Sequence, residues 1–97
     1  MNHEELNKFG EIVHEARTRL DLSLELVSSR CGFHKGYLSG IENGKVNPPS
    51  PRLTKKLARV LQLNEDWLIT LGHAQKAPAK YREFFVELVQ ERFVVVA

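Results

Sequence analysis

Gly32-Phe33-His34-Lys35-Gly36-Tyr37-Leu38-Ser39-Gly40-Ile41-Glu42-Asn43-Gly44 is the stretch whose reading decides the fold. A glycine stands at each end, the residue that most readily takes the left-handed conformation closing a helix. Between them, Leu38 and Ile41 lie three apart and give the inner face of a helix from about Lys35 to Asn43. Phe33 and His34 form the turn that leads into it. Immediately upstream, Ser23 is a good N-cap for a second short helix, on which Leu24, Val27, Ser28 and Cys31 face inward and which Gly32 ends. The unit is two short helices joined by a tight glycine turn.

Working outward, Leu6, Phe9, Ile12, Val13, Ala16 and Leu20 recur at spacings of three and four, one apolar stripe on a first helix of about four turns that stops at Asp21. Downstream, Asn47-Pro48-Pro49 is a rigid loop, and Ser50-Pro51 reads as N-cap and first helical position. Leu53, Leu57, Ala58, Val60 and Leu61 give a fourth helix its apolar face. Asn64 caps a fifth from Glu65 to Leu71, anchored by Trp67, Leu68 and Leu71, with Gly72 as its stop. Glu65 and Asp66 sit in its first turn, where the helix dipole favours negative charge. His73 to Ala79 is a polar break containing Pro78. Beyond it, Tyr81, Phe84, Phe85, Leu88, Val89 and Phe93 form a second stripe at helical spacing, with Arg82, Glu83, Glu87, Gln90 and Glu91 on the other face. Phe93-Val94-Val95-Val96 is strand-like by residue type, though too short for a sheet of its own.

Ninety-seven residues make one domain with a short appendage. The single cysteine excludes an internal disulfide, so a reducing cytoplasm is the simpler setting. No apolar run approaches the roughly 18 residues of a membrane span, and the opening Met1-Asn2-His3-Glu4-Glu5 is too acidic for a signal peptide. The net charge of +2 conceals an uneven distribution. Arg30, Lys35, Lys45, Arg52, Lys55, Lys56 and Arg59 fall in one segment with a lone acid, Glu42, so the rest of the chain is net negative. Cations gathered around the two short helices suit a phosphate-bearing partner; a solvated lysine face is the plainer alternative. Enzymatic chemistry has little support. His3, His14, His34 and His73 show no metal-ligand spacing with Cys31 or the acids, Ser28 and Ser29 lie in a helix without a nucleophile elbow, and no glycine loop follows a strand. No cofactor or metal is expected.

From about Phe9 to Gly72, two thirds of the chain, the sequence resembles the phage lambda-repressor/Cro-like helix-turn-helix family. The residues that carry the likeness are Arg17, Ser23, Gly32, Tyr37-Leu38-Ser39, Ile41-Glu42-Asn43-Gly44-Lys45, Asn47-Pro48 and Asp66-Trp67-Leu68, in that order and spacing. The resemblance implies an all-α fold: a five-helix lambda-repressor-like DNA-binding domain over residues 1–73, followed by residues 74–97 as a linker and an additional C-terminal amphipathic helix. It implies that the third helix enters the major groove, with base reading by Lys35, Gly36, Ser39 and Gly40, and with Tyr37 reaching the backbone or a thymine methyl. Lys35 can donate to guanine O6 and N7. Phosphate contacts fall on Asn43, Lys45 and Asn47 after that helix, on Arg52 in the first turn of the fourth, and on the amides at Ser23. Arg17 and Glu42 are expected to form an ion pair tying the first helix to the end of the third.

The sequence departs from the family at two glycines and at Leu24, which replaces a polar, often phosphate-contacting residue. Gly36 and Gly40 carry no side chain for readout. Either they let the backbone lie close to DNA, so that Tyr37, Lys35 and DNA shape carry specificity, or the helix serves a protein partner instead. Two-fold operators are read by two-fold proteins, so a homodimer is expected, with Tyr81, Phe84, Phe85, Leu88, Val89 and Phe93 as its contact. The competing arrangement folds that stripe back onto the first and fifth helices of the same chain. The function implied is a sequence-specific transcriptional regulator, a repressor on a palindromic operator. The alternative is a protein-interaction module on the same fold, such as an antitoxin or an antagonist-binding regulator.

Overall fold

Six helices follow one another in a computed structural model that describes residues 8–96, apart from the side chains of Gln90 and residues 92–96. They are α1 (Lys8–Arg19), α2 (Leu24–Cys31), α3 (Lys35–Glu42), α4 (Pro51–Leu61), α5 (Glu65–Gln75) and α6 (Ala79–Val96). The expected Leu6 at the head of the first stripe and the acidic opening Met1–Glu5, His3 included, lie outside the described residues.

Capping follows side-chain chemistry. The hydroxyls of Ser23 and Ser50 accept from the N–H groups of Leu26 and Leu53, and the Asn64 carbonyl accepts from Trp67 N–H at 2.8 Å. Pro51 occupies the first turn of α4, where its missing N–H has no helical partner to lose. Gly32 closes α2 at φ +81°, and Phe33 N–H reaches back to Ser28 O at 3.0 Å. That closure turns the chain from α2 into α3. Two other corners take the left-handed conformation without glycine, at Asp21 and at Gln62 after α4.

The core is continuous across all six helices. Phe9, Val13 and Ala16 of α1 meet Val27 and Cys31 of α2, Leu38 and Ile41 of α3, Leu57 and Leu61 of α4, Leu68 and Leu71 of α5 and Val86 of α6. Burial also pushes the Cys31 thiol pKa up, against a smaller opposing pull from Lys56. Thr54 is buried too, its hydroxyl donating to Pro49 O at 3.1 Å. This ties the proline loop to α4.

Three expectations are corrected. Gly72 does not stop the fifth helix, which runs on to Gln75. Gly72 is instead a point of close approach: a Cβ added there would reach 3.4 Å from both the Phe9 ring and Pro48. The extra turn also brings the Gln75 amide oxygen to Phe9 N–H at 2.9 Å, satisfying a donor at the start of α1. Second, residues 93–96 are helical, a continuation of α6 rather than a strand. Helical backbone satisfies its own hydrogen bonds, whereas an isolated β-branched run has no ladder to join. Third, α6 packs back on the core mainly through a residue outside the expected stripe, Val86, while most of the stripe faces outward. Val86 is buried and Val89 packs partly against the core, while Tyr81, Phe84, Phe85 and Leu88 are 39–62% exposed. On a 3.6-residue period these two sets lie on different flanks of the helix, centred about 120° apart. The helix packs back on α5 with the face that includes Val86, and turns its larger aromatic face outward. Phe84 meets Phe85 edge-on and Tyr81 tilts against it, at centroid distances of 5.5 and 6.5 Å. The Phe93 side chain lies outside the described residues.

Candidate nucleic-acid interface

The third helix owes its orientation to what it buries. Leu38, Ile41 and Glu42 face inward. By helical spacing the opposite face carries Gly36, Gly40 and Asn43, with Ser39 beside them. At Gly36 an added Cβ would meet nothing within 4 Å, so this part of the outward surface is bare backbone. At Gly40 the same atom would meet both methyls of Val46 at 3.4 Å. That contact follows from the loop after α3. Gly44 takes φ +72°, and the Lys45 and Val46 N–H groups fold back to Gly40 O at 2.9 and 3.4 Å. The loop therefore lies along the helix end, with Lys45, Val46 and Asn47 exposed.

The remaining candidate contacts divide by how engaged they are within the chain. Asn43 donates its side-chain amide to Ser39 O at 2.8 Å and to Ser39 Oγ at 3.3 Å, which joins two candidate residues into one polar group. Lys35 Nζ lies 3.4 Å from Glu25 Oε1, with both side chains more than half exposed. Such a pair contributes little and exchanges readily for another anion. Tyr37 is half-buried, its ring edge-on to Phe33 at 5.2 Å. The Ser23 hydroxyl is already occupied by Leu26 N–H, which leaves its neighbouring amides rather than its oxygen for an anion. Arg52 is exposed in the first turn of α4. The charge of the segment is unevenly free: Arg59 and Lys55 lie 3.1 and 4.0 Å from Glu65, whereas Arg30, Lys45, Arg52 and Lys56 have no carboxylate partner among the described residues.

Behind this surface, Glu42 is buried to 9% exposure at the end of α3, facing two side chains of α1, Arg17 and His14. Arg17 Nε donates to Glu42 Oε2 at 2.7 Å and Nη2 to Oε1 at 3.0 Å, while Nη1 donates to Leu22 O at 2.8 Å. The guanidinium thus clamps α1, the α1–α2 corner and the end of α3 with one planar group. His14 Nδ1 lies 2.8 Å from Glu42 Oε1. Burial pushes the Glu42 carboxyl up, but hydrogen bonds from Arg17 and His14 outweigh it together, so its pKa falls below the ordinary carboxylate value. The hydrogen bond to Glu42 raises the Arg17 pKa, partly offset by burial. With its lone acid neutralised internally, the Arg30–Arg59 segment presents cations outward. His14 as a third member was not anticipated; its position three residues before Arg17 on one helix face is the signal that marks it. Val46 was also missed, since nothing in the sequence tells which way the loop after Gly44 folds.

A helix-turn-helix family model matches residues 13–68, more than half of the chain. The uncharacterized HTH-type transcriptional regulator RghRB of Bacillus subtilis (strain 168) is 34% identical over 79 residues, covering 80% of this chain and 57% of that protein. The chain thus spans a little over half the length of that curated relative. No solved structure matches.

Proposed function

The chain belongs to the lambda-repressor/Cro-like helix-turn-helix family, and from that premise we propose that it is a sequence-specific DNA-binding transcriptional regulator, a cytoplasmic repressor that binds a palindromic operator as a homodimer. One observation carries the reading: α3 turns outward a face bare at Gly36, with only Val46 lying against Gly40, next in the chain to cations that have no partner among the described residues. A bare helix face fits a groove about 12 Å wide at close range, and unpaired cations on its flanks suit phosphate rails.

In this reading Lys35 leaves Glu25 for a guanine edge, and the Ser39–Asn43 pair offers a hydroxyl and an amide. Lys45, Asn47, Arg52 and the amides after Ser23 hold phosphates. Residues 1–73 form the reading domain, and residues 74–97 join two copies. The support for the second role is that α6 is apolar on two faces, and α5 covers only one. Exposed Tyr81, Phe84, Phe85 and Leu88 are the patch that a second copy would cover. A protein antagonist or toxin would compete for that same patch.

A salt-dependent gel shift on the DNA upstream of the chain's own gene tests the proposal. With Lys45 and Arg52 of each protomer on phosphates, about four charges are neutralised per dimer, and log K should fall with log salt with a slope of about −4. Saturable binding of that steepness supports the regulator. Absent or salt-insensitive binding refutes it.

A further inference from the structure

We infer that Val46, a loop residue outside the recognition helix, is a specificity-determining contact that reads a thymine methyl in the major groove. The inference rests on the DNA-reading role proposed above and assigns a base contact to a side chain that the family resemblance did not supply.

Val46 is 40% exposed, an unusual position for a β-branched apolar side chain in a loop flanked by Lys45 and Asn47. It is not a stray surface residue, because the backbone fixes it. Gly44 turns the chain, and the N–H groups of Lys45 and Val46 both point to Gly40 O. The Val46 methyls come to lie 3.4 Å from the point where a side chain at position 40 would begin. Position 40 belongs to the outward face of α3, directly above Gly36 by helical spacing. The isopropyl group therefore lies against the outward face of α3, in contact distance of where the Cβ of residue 40 would stand. Gly40 is what admits it: a longer residue there would displace Val46 from the helix.

The chemistry available at that point is narrow. Two methyls can neither donate nor accept a hydrogen bond, so they carry no code for guanine, cytosine or adenine edges. Thymine alone presents an apolar group in the major groove, its C5 methyl. An exposed apolar side chain on the groove-facing surface gains by covering it, and removing either partner from the contact leaves the other facing water.

Selection of bound duplexes from a random pool with the full chain gives the preferred site. Each thymine in that site is then replaced in turn by deoxyuridine, which differs only by the missing methyl. At one thymine in each half-site, replacement should weaken binding about fourfold, equivalent to ~0.8 kcal/mol for one buried apolar carbon. In Val46→Ala the same position should no longer distinguish thymine from uracil, while its melting temperature stays with the parent. Val46→Ile should keep the distinction. A site insensitive to every deoxyuridine replacement overturns the Val46 contact and leaves the DNA-reading role standing. So does a sensitive thymine that responds equally in Val46→Ala, for it assigns the methyl to another side chain. A pool from which no motif emerges brings down the regulator reading and the contact with it.

Discussion

Replacing Glu42 with alanine should damage stability and DNA binding together, and the geometry sets the size of the effect. The carboxylate accepts two hydrogen bonds from Arg17, at 2.7 and 3.0 Å, and stands 2.8 Å from His14 Nδ1. Its removal leaves the guanidinium, 12% exposed, with Leu22 O as its remaining short partner outside α1. Breaking a fully buried pair by deleting one member costs about 3–5 kcal/mol, mainly from the stranded charge. The Leu22 bond and the residual exposure of Arg17 reduce that to about 2–3 kcal/mol. For a domain of this size such a loss lowers the melting temperature by about 10–20 °C. Thermal unfolding followed by circular dichroism measures it directly. The double variant Arg17→Met with Glu42→Leu provides the internal control. It strands no charge, so it should recover most of the stability while still loosening the tie between α1 and the end of α3. A melting temperature within about 3 °C of the parent for Glu42→Ala, or a double variant as unstable as the single, would refute the account of stabilisation by a clamped charge.

The same carboxylate predicts acid sensitivity. Its folded pKa lies below the ordinary value, so its contribution is complete above the unfolded pKa of about 4.3 and is lost as pH falls through the lower folded one. Glu42→Gln should show a shallower loss of melting temperature below about pH 4 than the parent, and parallel acid limbs would contradict this. Lys45→Ala should weaken all DNA sequences alike and flatten the salt slope by about one unit per protomer, whereas Lys35→Ala should relax one base-pair preference by about 1–3 kcal/mol; competition gel shifts on matched and mismatched duplexes separate the two. Gly36→Ala meets no atom within 4 Å and should stabilise the free protein by up to about 1 kcal/mol through helix propensity, yet weaken DNA binding by filling the bare face; unchanged affinity would mean that DNA does not approach there. If the proposed dimer forms through α6, Phe84→Glu with Leu88→Glu should abolish it in sedimentation velocity while shifting stability by no more than about 0.5 kcal/mol, because both side chains face solvent. Truncation after Ala79 is a poorer probe, since it also uncovers the surface of α5 that Val86 covers.

What the sequence disclosed best were elements defined by local chemistry. Ser23, Gly32, Ser50, Pro51 and Asn64 each act through groups within a few residues, so their roles as caps are readable from spacing alone. Arg17 and Glu42, 25 residues apart, meet as the family pattern implies. The misread positions depend on something distant. Gly72 has the composition of a helix stop, but what governs it is Phe9 and Pro48 packing against it from other parts of the chain. On α6 the stripe reading left out Val86, whose burial depends on core residues far away in the sequence. The candidate interface was assembled from residue types in order. The fold of the loop that sets Val46 over Gly40 was not legible: Gly44 announces a turn, but the backbone hydrogen bonds to Gly40 O that set its course leave no mark in residue type.

Cys31 gives the chain an internal record of its own opening. As the only thiol in the sequence, closed off at 1% exposure and poorly ionised in the folded state, it is shielded from alkylating reagents until α2 separates from its neighbours. The rate at which a maleimide or disulfide reagent consumes it therefore reports the fraction of molecules transiently unpacked. Bound DNA, by holding α2 and α3 together, would slow that clock in proportion to its occupancy, so binding could be followed through the native thiol.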